Sequence, residues 1–198
     1  MDQPELLRYS YSRGWQEGKV ATALDGDSGN WTKLMLYDGE MGQSDDHKER
    51  QHYAGVSYPP RELHPRLCAE LFPETCRIVR PLVPGLNSDL LPYVQSDHEQ
   101  VVFFQLRPQS SIGLHSAANN ARLTMHMCLR GCGGYLMVGG EKIYWKQFEP
   151  MIFDDSFLHS VYLGPQVENR LIIHVMMMHP DIDTNEKFVR AARSIWYR

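Results

Sequence analysis

Eight short apolar runs crowd into the stretch from residue 101 to residue 178: VVFFQL, SIGLH, LTMHMCL, GYLMVGG, KIYW, PMIF, HSVYL and RLIIHVMMM. Together they are rich in β-branched and aromatic residues and punctuated by Gly, Pro, Asn and Asp, residues that supply turn geometry. None is long enough for a helix of ordinary length, so the pattern predicts a sandwich or barrel of short strands. GGYLMVGGEKIYW reads as a hairpin, because Gly139 and Gly140 can take the positive φ angles of a tight turn.

The rest of the 198-residue chain is read against that β-region. NWTKLMLYDGE (30–40) alternates enough to be a further strand. PPRELHPRLCAELFPETC (59–76) sets Leu63, Leu67 and Leu71, with Cys68 beside them, on one face at helical spacing, which predicts one amphipathic helix packed on a sheet. Residues 41–52 have no apolar side chain after Met41 and read as a solvated loop. TNEKFVRAARSIWYR (184–198) gathers Phe188, Ala191, Ala192, Ile195 and Trp196 near one face and predicts a closing helix. The length suits one domain, divided as residues 1–95 supporting a barrel core at 96–182, with the helix at 183–198 after it.

Charge and composition narrow the partners. A net charge of −4 with scattered basic residues offers no field for a phosphate backbone, so nucleic acid is not expected. No run reaches the roughly 18 apolar residues that span a bilayer, and the first residues, MDQPELLRYS, lack the basic start and apolar run of a secretory signal. A cytoplasmic protein acting on a small molecule, amino acid or peptide is the expectation, and oligomeric state is not legible. Cys68, Cys76, Cys128 and Cys132 form no C-x-x-C pair and no zinc-knuckle spacing, so they read as buried or idle thiols.

Four of the nine histidines, His115, His126, His159 and His174, lie on or beside the strands. His115 ends one short strand, and His159 begins another after the turn FDDSFL (153–158). Strand-end imidazoles can meet at a barrel mouth and bind iron, zinc, copper or nickel; any one of them could equally be a packed core or surface ring. Arg170 opens an otherwise apolar strand. A guanidinium there needs a carboxylate, supplied by a protein acid or by a bound ligand.

The order of these groups, with the spacing of the residues around them, carries a resemblance. The segment 108–182, with its histidine followed by N-x-R-L-x-x-H, then FDDS-x-x-H, an arginine opening the last strand, and HP, resembles the aspartyl/asparaginyl β-hydroxylase family. The resemblance implies a mainly β fold with flanking helices, a double-stranded β-helix (jelly-roll, cupin-like) barrel. It implies an Fe(II)/2-oxoglutarate-dependent dioxygenase with O2 as cosubstrate, in which His115 and His159 bind the metal. Arg170 would pair with the far carboxylate of 2-oxoglutarate and His126 would contact the same cosubstrate. Members of the family bind iron through two histidines, having lost the acid at the place held here by Ala117. Thr124 stands where the best-known animal enzymes carry a cosubstrate-binding arginine, a departure at a cofactor-binding position, and the loop 164–169 has one residue more than expected. Asp154 and Asp155 could orient the ligand imidazoles or simply cap their turn, and Tyr37, Arg107 and Trp145 are candidate pocket-lining residues.

Three other functions share parts of the pattern. HSA at 115–117 also fits a 2-oxoglutarate-dependent halogenase, in which chloride fills the position left open at Ala117. A non-catalytic β-barrel holding zinc would use the histidines alone. A cupin-like isomerase or dioxygenase without 2-oxoglutarate would leave Arg170 in need of another partner.

Overall fold

The computed structural model describes residues 15–19, 30–38, 63, 65–82, 100–117, 120–165, 168–184, 186–187 and 190–191. The described elements are β1 (Trp15–Lys19), β2 (Asn30–Asp38), α1 (Pro65–Glu70), α2 (Pro73–Val79) with a 3-10 turn after it (Arg80–Leu82), β3 (Gln100–Leu106), β4 (Ser111–His115), β5 (Arg122–Arg130), β6 (Tyr135–Val138), β7 (Glu141–Ile143), β8 (Pro150–Phe153), β9 (His159–Tyr162) and β10 (Arg170–Met178). The eight apolar runs become the eight strands β3 to β10.

These strands alternate between two antiparallel sheets. One has the order β1-β2-β3-β10-β5-β8 and the other β4-β9-β6-β7. Successive strands of the 100–178 stretch cross from one sheet to the other at nearly every turn, and the last strand, β10, returns to lie beside the first, β3. That is jelly-roll connectivity, the double-stranded β-helix. The hairpin at Gly139 and Gly140 forms as its glycines predict, with φ of 57° and 86° and Val138 paired with Glu141.

Two apolar layers follow from the period-2 alternation of the strands. Between the sheets, Leu106, Cys128, Phe153 and Ile172 of the larger sheet meet Leu136 and Val161 of the smaller. On the outer face of the larger sheet, Leu34, Leu36, Val101, Phe103, Ile173 and Val175 pack against Leu67 of α1 and Cys76 and Val79 of α2. β10 is therefore covered on both sides, which is why RLIIHVMMM is almost continuously apolar instead of alternating. A register shift between Met35 and Tyr37 in β2 turns Tyr37 onto the same buried face as Leu36.

The predicted single helix over 59–76 is two helices instead. Pro73 has no N–H to donate and its ring disfavours helical backbone at the residue before it. Phe72 accordingly leaves the helical region, at φ −128° and ψ 43°, and its ring lies 4.8 Å from that of Phe103. The cysteines also differ from expectation. All four are paired, Cys68 with Cys76 and Cys128 with Cys132, the first bridge tying α1 to α2 across the break. No metal pattern and no C-x-x-C pair was needed for this: the break at Pro73 folds Cys76 back towards Cys68. At the C-terminus residues 186–187 and 190–191 are helical, and Ile182 and Ala191 pack on Ala121 and Met178. The rest of the expected helix and the whole of the expected loop 41–52 lie outside the described residues.

Candidate active site

One cavity of about 240 Å³ opens between the sheets, and its wall includes His115, His159, Arg122, His126, Arg170 and His174. Strand alternation explains the gathering. In β10 the inward positions are Arg170, Ile172, His174 and Met176; in β5 they are Arg122, Thr124 and His126. His115 and His159 come from paired ends of β4 and β9, where they stand directly opposite each other in the register.

The rings of His115 and His159 are 4.1 Å apart between centroids, inclined at 54°. Each is held the same way. His115 Nδ1 lies 2.7 Å from the carbonyl of Gly113, and His159 Nδ1 lies 2.8 Å from the carbonyl of Phe157. A carbonyl only accepts, so in both rings the hydrogen is on Nδ1 and the lone pair is on Nε2. Fixing the ring through a backbone carbonyl is the usual support of a metal-ligating imidazole. Burial holds the His159 pKa below its ordinary value, against the raising effect of the Phe157 carbonyl, so the ring stays neutral further into acid. Among the described residues no group of three or more His, Cys, Asp or Glu side chains could hold a metal; the two imidazoles stand as a pair.

Ala117, at the place of the absent acid, is buried on the cavity wall, and its N–H donates to the carbonyl of Asp155 at 2.7 Å. That bond ties the turn after His115 to the turn before His159. The carboxylate of Asp155 is engaged elsewhere: Arg122 Nε and Nη2 each lie 3.1 Å from Oδ2, and Thr124 Oγ1 donates to the same oxygen at 3.0 Å. Asp154 accepts from the Ser156 N–H at 2.9 Å, a turn cap. The histidine-orienting role thus falls to the carbonyls of Gly113 and Phe157, while Asp154 caps its turn and Asp155 ties that turn to β5. Thr124 is fully buried with its hydroxyl donated to Asp155.

At the other end of the cavity lies Arg170, 3% exposed, with Nε and Nη1 buried and without a hydrogen-bond partner among the described residues. Its guanidinium carbon sits 3.9 Å above the ring of Trp145, a stacking contact worth up to about 2 kcal/mol when desolvated. Burial lowers its pKa to about 9, which leaves it a cation at neutral pH. A buried cation is costly in the absence of an anion, so a carboxylate or similar group would relieve that cost here. His126 Nδ1 is also buried and without a partner among the described residues, while its Nε2 is 2.8 Å from His174 Nδ1.

Two of these residues were absent from the candidate set. Arg122 faces the cavity, and the signal lay in the strand itself, since 122, 124 and 126 share a face. His174 stands among the strand histidines with nothing local to mark a role, because its partner His126 is 48 positions away. Of the candidate lining residues, Tyr37 lies in the core under the helices, Trp145 packs beside Arg170 in the core between the sheets, and Arg107 is exposed. The final HP is structural: His179 N–H donates to the carbonyl of Ala121 at 2.9 Å, anchoring the end of β10.

Fold and site together define a mainly β jelly-roll protein with an imidazole pair at one end of an internal cavity and, at the other, a buried guanidinium with no hydrogen-bond partner at Nε and Nη1 among the described residues. The model of the aspartyl/asparaginyl β-hydroxylase family matches residues 3–180. The chain belongs to that hydroxylase family. Curated relatives include aspartate beta-hydroxylase domain-containing protein 2 of Xenopus tropicalis, 35% identical over 85 residues, covering 41% of this chain and 23% of the relative. Human aspartate beta-hydroxylase domain-containing protein 1 is 27% identical over 151 residues, covering 68% of this chain and 38% of that one. Human aspartyl/asparaginyl beta-hydroxylase is 29% identical over 92 residues, covering 44% of this chain and 12% of that one. The matches therefore span well under half of each of these relatives. Among solved structures, a predicted oxalate decarboxylase from Thermotoga maritima superposes with a TM-score of 0.47 at 13% identity, covering 86% of this chain and 96% of that one.

Proposed function

We propose that the chain is an Fe(II)/2-oxoglutarate-dependent dioxygenase that hydroxylates an unactivated carbon, β to a carboxyl or amide, in an amino acid, peptide or small metabolite. The observation that carries this reading is the pairing of two Nε2 lone pairs with a buried guanidinium, without a hydrogen-bond partner at Nε and Nη1 among the described residues, across one cavity. A metal held by His115 and His159 and a diacid whose far carboxylate meets Arg170 would satisfy both ends at once.

When bound, the iron and its diacid supply O2 activation, with the diacid converted to succinate and CO2 as a C–H bond becomes C–OH. The chain's own residues do the positioning. The carbonyls of Gly113 and Phe157 fix both imidazoles in the tautomer that presents Nε2. Trp145 holds the Arg170 fork in one plane, so the carboxylate is bound in one orientation and little ordering remains to be done at the moment of reaction. Burial of Arg170 strengthens that ion pair relative to one in water. Arg122, with its side chain 19% exposed and tied to Asp155, lines the same cavity and would offer a cation to an acidic substrate. Ala117 leaves the position beside the metal site free of a protein carboxylate, so water or another small ligand can complete the coordination.

The test is anaerobic titration of the protein with Fe(II) and 2-oxoglutarate, followed by turnover in O2. The reading requires a metal-to-ligand charge-transfer band and succinate release. Iron uptake with no band rejects it. Zinc uptake with no succinate favours a non-catalytic metal-binding barrel, and a chloride-dependent product carrying chlorine favours the halogenase reading of Ala117.

A further inference from the structure

Nothing in the proposed chemistry uses His174, yet its place is unusual. It is an imidazole set between Ile173 and Val175 in a strand covered on both faces, where a polar side chain is unfavourable unless it is hydrogen-bonded. β10 and β5 place it opposite His126, and the two rings share one hydrogen bond of 2.8 Å between His174 Nδ1 and His126 Nε2. The edge of Phe104 closes on the His174 ring at 5.2 Å and 89°, fixing its plane. Burial holds both rings neutral.

A neutral imidazole has one N–H and one lone pair. The single hydrogen between the two rings therefore decides what His126 offers at its far nitrogen. If His126 donates from Nε2, its Nδ1 is a bare lone pair; if His174 donates from Nδ1, the His126 hydrogen is on Nδ1. That nitrogen is buried and unpartnered among the described residues, as are Nε and Nη1 of Arg170. The two residues share a neighbour: Trp145 lies 3.9 Å beneath the Arg170 guanidinium and is stacked near-parallel with His126, at 6.2 Å and 19°. A carboxylate drawn to Arg170 is an acceptor only. It would be repelled by a lone pair at His126 Nδ1 and bound by an N–H there.

We propose that His174 is a positioning residue whose Nδ1–H donates to His126 Nε2, holding His126 in the tautomer that points an N–H at the carboxylate paired with Arg170. This rests on the reading that 2-oxoglutarate binds there. The Asn variant of His174 keeps a donor for His126, whereas the Leu variant fills the space without one.

Two measurements test it. Nitrogen-15 imidazole spectra of the wild-type protein, loaded with Zn(II) and 2-oxoglutarate, read the His126 tautomer directly and need no variant. Hydrogen on Nδ1 is expected; hydrogen on Nε2 overturns the proposal. In anaerobic Fe(II) titrations the charge-transfer band gives 2-oxoglutarate affinity. His174→Leu should weaken it about ten- to hundredfold, the span of one hydrogen bond to a charged group, and His174→Asn should recover most of the loss. Wild-type affinity in His174→Leu overturns the role of His174 while leaving the cosubstrate reading intact. A wild-type protein that binds iron and gives no band overturns both.

Discussion

Two cross-strand histidine pairs face one cavity, and they differ in where their hydrogen bonds go. His115 and His159, on the smaller sheet, each donate Nδ1–H to a carbonyl two residues back, Gly113 in β4 and Phe157 in the turn before β9, and turn Nε2 free. His126 and His174, on the larger sheet, bond to each other. Equal chemistry thus leaves unequal nitrogens facing the cavity. The first arrangement leaves two lone pairs for a metal; the second spends one lone pair internally and leaves one nitrogen for a ligand.

The comparison breaks most visibly under loss of a ligand. His115→Ala or His159→Ala should lower Fe(II) affinity by more than about a hundredfold, beyond the effect of losing an outer hydrogen-bonding partner. His174→Leu should bind iron at the wild-type stoichiometry. Metal analysis after gel filtration checks both, and iron loss in all three variants would erase the distinction. Next in size, Arg170→Ala should cost about 3 kcal/mol in 2-oxoglutarate binding, roughly a hundredfold, since it removes one partner of a buried ion pair. Arg170→Lys should recover only part of it, because an ammonium cannot reproduce the planar fork stacked on Trp145. Unchanged affinity in Arg170→Ala would move the carboxylate site elsewhere.

The disulfides bear on the deep pair, since Cys128 lies two residues beyond His126 in β5 and is bridged to Cys132. Opening either bridge should lower stability by about 2 kcal/mol through the entropy of its short loop. Alkylation of the unfolded, unreduced protein should find no free thiol; labelling of all four cysteines would restore the idle-thiol reading and suit the reducing interior of a cell, where disulfides are rare.

The effect of pH is the most gradual. Desolvation pulls the His126 pKa well below 6.5 and that of His174 to about 3. In the unfolded chain both take up protons near pH 6.5. Their contribution is therefore fully present above that pH, and it is lost as pH falls from about 6.5 towards the folded values. The slope is about 1 kcal/mol per pH unit for each ring. Urea midpoints at pH 7 and pH 5 should differ accordingly, and His174→Leu should reduce the difference; an unchanged slope in that variant would mean the ring titrates alike in both states.

The strands were legible because short apolar runs between turn residues leave the backbone few other choices. His115, His159 and Arg170 were legible because each marks a strand end or interrupts an apolar run. Asp155 was read for its proximity in sequence to His159, but Arg122 and Thr124, 33 and 31 positions away, are what it bonds. The break at Pro73 is written in the proline itself, whose missing N–H overrides the leucine spacing.

What the chain alone determined is local: where strands begin and end, which faces are apolar, and that two imidazoles and a guanidinium stand at strand ends within a motif of one hydroxylase family. Register decided the rest. Only the pairing of β10 with β5 could put His174 on His126, and only the folding back of α2 could join Cys68 to Cys76, because contacts between distant residues depend on which strands become neighbours. No periodicity in the sequence encodes that choice.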